Sequence, residues 1–393
     1  MLTYTDAPTE DGRFEPSLLL RWVGGWNDVG QVNDAHLLPK SPPEAGSKAA
    51  MENLQAALAA LPDEEDPEIE RLMQMIRDRE DWDQVFAERM VSRYTEFFGH
   101  VATLTEGPPL HLPMSNNPAA PSDLLKVVHW PRLYELRGRV ALERGDWPGA
   151  LGALQEMNRF SNFLTASPGP LIHYLVGVAM EKQTLSFAQR LLDDPSLPPA
   201  SMPPLGRVLR EGPDHDQVRV AMWKQEFLFQ KQAVRALAEG LTIAPFDLML
   251  AAFDQPEPWF AEWRKAGSRC LQQVGYALLL QPNRTMQLQA EVTDHLIKLS
   301  ALPARKRIEF AGPEILWERP EFFWLRSNGL GERAVYEAGM QLPHALKRSD
   351  MIIAYRRALL VSWGVRHYHE LHGTLPDTLL PVTRQHLAAI PVD

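Results

Sequence analysis

Residues 133–157 read LYELRGRVALERGDWPGALGALQEM. Gly145 and Asp146 supply a turn ahead of Trp147, and the residues on either side follow a helical pattern. Gly138 stands where two helices must approach closely, and Ala141 and Ala150 are small residues at the crossing. The stretch therefore specifies a helical hairpin. From Ala45 onward the pattern is helical almost throughout, so the chain is expected to be all-α, with many short helices and helical hairpins forming an elongated or two-lobed helical body.

Composition agrees with that expectation. A length of 393 residues exceeds what one hydrophobic core usually serves, and 45% hydrophobic with 23% charged residues is the balance of a folded chain. The 33 prolines point to many short helices with hard stops, because proline is tolerated at the first helical position and past helix ends but not inside. A formal net charge of −10 would repel a phosphate backbone, so no nucleic-acid partner is expected. The short basic clusters Arg305–Lys306–Arg307 and Arg356–Arg357 read as solvated helix faces. A single cysteine, Cys270, excludes an intramolecular disulfide and a cysteine-based zinc site, and is expected to be a buried structural thiol. The apolar run Leu18 to Val23 is broken by Arg21 and too short for a signal peptide or a membrane span.

Along the chain, residues 1–44 read as an irregular arm that docks through the WVGGW element, Trp22 to Trp26. Residues 45–312 read as a helical body that includes the hairpin. An acidic linker, Asp63 to Asp66, separates its first two helices. Residues 107–121, GPPLHLPMSNNPAAP, form a long loop, after which Ser122 and Asp123 offer an N-cap. Residues 313–331 form an aromatic, Pro- and Gly-containing segment, and 332–393 a C-terminal helical segment packed on the body.

Within that C-terminal segment Met351, Ala354, Ala358, Val361, Val365, Tyr368 and His372 recur in steps of three and four, a seam for a neighbouring helix. Gly373 supplies the left-handed residue that ends the helix, and Pro376 starts a short second helix carrying Leu379, Leu380 and Leu387.

Candidate functional residues are few. The helix from about Pro170 to Leu192 places Leu171, Leu175, Val178, Leu185 and Leu192 on one face, with Glu181 at its edge. A carboxylate beside an apolar stripe can have a raised pKa and act as a general acid or base, although pairing with a nearby cation is the commoner outcome. Glu181 and His173, on the same helix, are the catalytic candidates. A later stripe, Val220, Trp223, Phe227, Val234, Leu237 and Leu241, is core. The aromatic segments Pro256–Trp263 and Pro313–Arg326 either anchor irregular chain to the core or line a groove. Trp317, Phe322, Phe323 and Trp324 are the binding candidates.

No metal site is expected. His367 and His369 point about 200° apart on a helix, leaving only His369 and His372 as neighbours, and His215 reads as a helix-start residue between Asp214 and Asp216. No cofactor is implied either. There is no GxSxG elbow, no GxxxxGK[ST] phosphate loop and no strand-borne GxGxxG; Gly329 and Gly331 in SNGLGERA lack a third glycine.

The hairpin resembles one tetratricopeptide-type unit, matched at Tyr134, Gly138, Ala141, Gly145, Trp147, Ala150 and Leu154 and departing at Arg137, where a Leu is usual. No second copy follows at a period near thirty-four residues, so it reads as structural rather than as part of a peptide-binding superhelix. The order of ALERGDWPGAL, SPGPLIHYLVGVAMEKQTL, SNGLGERA, AYRRALLVSWGVRHYHELHGTLPDTLLPV and IPVD resembles a group of uncharacterised bacterial helical proteins, many of them membrane-anchored, over about Arg89 to Asp393. Members carry an N-terminal membrane helix and continue past the final Val-Asp. Both ends of this chain are therefore expected to be trimmed or divergent relative to the group, with a native N-terminal anchor and an envelope-facing location allowed by the resemblance. The tail is also similar to the helix-to-loop segment of pseudopilins. These resemblances imply no reaction.

The leading expectation is a non-enzymatic helical scaffold with a protein partner. The alternatives are a helical enzyme or ligand-binding protein with a pocket near Glu181 and the aromatic segments, and a secretion-associated component.

Overall fold

The computed structural model describes residues 35–37, 47–60, 67–77, 82–107, 127, 130–167, 169, 171–238, 282–310 and 329–382. Of the arm 1–44 only residues 35–37 are described, and of the loop 107–121 only Gly107; the WVGGW element, the linker Asp63–Asp66, the Ser122–Asp123 cap, Cys270, and the segments 256–263 and 313–326 lie outside the described residues.

The architecture is all-α, with no strand among the described residues. Helices α1 (Ser47–Ala59), α2 (Pro67–Arg77), α3 (Gln84–Arg93) and α4 (Thr95–Glu106) come first. Then follow α5 (Trp130–Glu143), α6 (Trp147–Ala166), α7 (Leu171–Asp193) and α8 (Met202–Arg210). The last four are α9 (His215–Ala238), α10 (Pro282–Ser300), α11 (Ala304–Phe310) and the 44-residue α12 (Gly329–His372). Single 3-10 turns stand at Ala35–Leu37 and Pro199–Ser201. No described helix is long and apolar enough to cross a membrane.

The residues fall into two compact units, and the boundaries at 218/219 and 347/348 lie inside helices. One unit holds α1 to α8, the first turn of α9, and α12 from Arg348 onward. The other holds the rest of α9, α10, α11, the Ala35–Leu37 turn and α12 up to Lys347.

In the first unit the hairpin α5–α6 is the organising element, and its turn chemistry is local. Gly145 takes φ +71°, Gly145 N–H bonds to Leu142 O and Asp146 N–H to Ala141 O, the paired bonds that close a helix on a left-handed glycine. Asp146 then accepts from Gly149 N at 2.9 Å, capping α6 ahead of Pro148. Gly138 permits the close approach expected of it. A Cβ there would lie closer than 3.0 Å to the Phe187 ring of α7 and 3.6 Å from Ala153 of α6, so three helices converge on one missing side chain. Arg137, the departure from the repeat pattern, pairs with Glu156 across the hairpin at 2.7 Å and lies over the Phe98 ring.

The apolar core joins α4 to this hairpin. Phe97 meets Trp130 edge-on at 4.8 Å, Trp130 stacks on Phe160 at 5.0 Å, and Phe98 meets Tyr134 at 5.0 Å. Each fully buried side chain of this kind contributes about 1.5–3 kcal/mol.

The second unit is smaller among the described residues. Phe227 of α9 packs with Leu37 and Ala290, and Trp223 donates through its indole N–H to Ser300 Oγ at 2.9 Å. Trp223 and Phe227 thus occupy the core as their spacing predicts, while Val220 and Val234 are half-buried. Arg307 corrects the reading of its cluster as a solvated face, since it is buried and caps α10 through Ser300 O at 2.9 Å. Its neighbours Arg305 and Lys306 are exposed.

The buried face of α12 is offset from the expected seam by two residues. The side chains turned inward are Ser349, Ile352, Arg356, Leu359 and Trp363. Met351 of the expected seam is 61% exposed, Ala354, Ala358 and His372 are exposed, and Val361, Val365 and Tyr368 are half-buried. The inner stripe has the same steps of three and four, but with Ser349 and Arg356 in it the stripe reads as polar. Hydrophobicity alone therefore selects a stripe about 200° away, on the outer side of the helix. Gly373 ends the helix at φ +71° as expected, whereas the following helix begins at residue 380 and not at Pro376, with Leu379 and Leu380 exposed.

Candidate functional site

Three helices and one turn bring a polar cluster into the first unit. Helix α7 carries Tyr174 and Glu181, the α8–α9 turn ends at His215, and α12 carries Arg356. The small and polar residues Gly177, Thr184 and Ala188 are all buried on α7, so its core face runs through Tyr174, Gly177, Glu181, Thr184 and Ala188. Of the expected apolar face Val178, Leu185 and Leu192 are buried, whereas Leu171 and Leu175 are only half-buried. Glu181 thus sits at the centre of the core face and not at its edge, with no exposed surface.

Both carboxylate oxygens of Glu181 have a cationic or ionisable neighbour. Arg356 donates through Nε to Oε1 at 3.0 Å, and His215 Nε2 stands 2.9 Å from Oε2. The Tyr174 hydroxyl meets His215 Nδ1 at 3.1 Å. His215 begins α9 as expected, with Asp214 accepting from Asp216 N and Gln217 N, but its ring is buried and turned towards Glu181.

Arg356 is the hub. Its Nη1 reaches the carbonyls of Val208, Leu209 and Glu211, each at 3.2 Å, and Nη2 reaches Asn158 Oδ1 of α6 at 3.3 Å. The last carbonyls of a helix have no partner within it and carry its negative dipole end, so a guanidinium here serves both needs. Asn158 Nδ2 donates in turn to Glu211 O at 2.9 Å. The reading of Arg356 as part of a solvated face is therefore corrected. The energetic reason is that a buried arginine is tolerable where a carboxylate neutralises it and its donors are satisfied.

Burial pushes the Glu181 carboxyl up, but the contact with His215 and the charge and hydrogen bond of Arg356 outweigh burial and hold it below the usual 4.5. The raised pKa that would suit a general acid is absent. The group stays ionised at neutral pH, hydrogen-bonded by Arg356 at Oε1 and with His215 Nε2 close to Oε2.

His173, the other catalytic candidate, is not in this cluster. It is wholly buried near the start of α7, neither ring nitrogen has a hydrogen-bond partner, and Nδ1 lies so close to Gly169 that a Cβ there would collide with it. Burial depresses its pKa to about 4, so the ring is neutral at pH 7. The binding candidates Trp317, Phe322, Phe323 and Trp324 lie outside the described residues. Of the tail histidines, His367 stacks on Trp363 at 5.2 Å and His372 lies against Tyr368 at 4.2 Å. Among the described residues no three of His, Cys, Asp and Glu gather as metal ligands.

Reading the sequence alone missed Arg356, Asn158, Tyr174 and the role of His215. One signal was available for Arg356: it stands in the same register as Ile352, Leu359 and Trp363.

The fold and this cluster define an all-α protein built around a buried carboxylate–guanidinium centre. No protein-family model, no curated protein and no solved structure matches the chain.

Proposed function

We propose that the chain is a non-enzymatic helical scaffold that binds a protein partner. The observation that carries this reading is the pairing of Glu181 with Arg356, with His215 2.9 Å from its other oxygen, in a core position with no exposed surface. A carboxylate so held contributes to joining helices and has neither the raised pKa nor the exposure of a general acid. The segment with Trp317, Phe322, Phe323 and Trp324 is the partner-binding element of this proposal, by reason of its aromatic content. An envelope-facing location rests on the sequence resemblance and belongs to the same proposal.

Capture experiments with the full chain test it. Phe323→Ala with Trp324→Ala should remove specific partners while leaving thermal unfolding unchanged. Glu181→Gln should lower the unfolding temperature yet keep the partner list. Identical partner lists for wild type and the aromatic variant would eliminate the aromatic element. A stable Glu181→Gln protein that retains its partners but loses a cellular phenotype would favour an enzyme.

A further inference from the structure

We draw no further inference here: the strongest candidate, the exposed leucine patch of Leu371, Leu375, Leu379 and Leu380 at the C-terminal end of α12 and just past it, is an unpartnered apolar surface, and nothing in the structure shows what covers it.

Discussion

Along the α5–α6 hairpin the helices meet through Gly138, Ala150, Ala153 and Leu154, whereas α12 meets α7 and α8 through Arg356, Trp363 and Arg366. The first contact is short-range in the chain and apolar at its centre, with the Arg137–Glu156 pair at its edge. The second joins residues up to 198 positions apart and centres on a charge pair. An apolar seam draws its stability from area removed from water and is spoiled by added volume. A buried ionic seam is nearly neutral while whole and strongly destabilising when halved.

The sharpest way to break the comparison is to halve the ionic seam. Arg356→Met should destabilise the protein by about 3–5 kcal/mol in urea unfolding, because Glu181 is left charged and buried, while Glu181→Leu with Arg356→Met should restore most of the loss. A double variant no better than the single would mean that the carbonyl bonds of Arg356, rather than its charge, hold α12.

The next effect separates two buried ionisable groups by pH. The folded pKa of His173 lies near 4 against an ordinary 6.5, so the unfolded chain binds the extra proton between those values. Its contribution is complete above about pH 6.5 and lost as pH falls towards 4, on the order of 3 kcal/mol in all. The folded pKa of Glu181 is below 4.5, so its contribution is present above that value and lost only as pH falls through the lower one. His173→Phe should therefore flatten the stability curve between pH 6.5 and 4 and leave the acid limb in place. A slope unchanged by that substitution would remove His173 from the account.

A smaller effect belongs to the apolar seam. Gly138→Ala should cost about 1–3 kcal/mol by pressing on Phe187, and Phe187→Leu in the same chain should relieve part of it. Independent, additive losses would show that the two residues do not share the crossing.

The smallest tests the register of α12. Met351→Ala should change stability by less than about 0.5 kcal/mol, as an exposed site does, whereas a seam residue would cost roughly 2–5 kcal/mol.

The same contrast explains what was legible in the sequence. The hairpin could be read because its signals are local: Gly145 for the left-handed turn, Asp146 for the cap and Gly138 for the crossing lie within nine residues of one another. Gly373 was readable for the same reason. The ionic seam was not. Glu181 and Arg356 are 175 residues apart, so no window holds both, and each alone resembles a surface residue. Apolar periodicity then placed the seam of α12 on Met351, Ala354 and Ala358, since it cannot score a stripe whose central member is arginine. On α7 the same bias towards Leu and Val drew the core face away from Gly177 and Thr184 and moved Glu181 to its edge.

Five acceptors surround the Arg356 guanidinium: one carboxylate oxygen, three carbonyls and one amide oxygen. An ammonium offers three donors from a single point and cannot span them. Position 356 is thus closed to lysine although lysine conserves the charge. Chains descended from a common ancestor with this architecture are expected to keep arginine there, or to lose it in step with an apolar replacement at position 181.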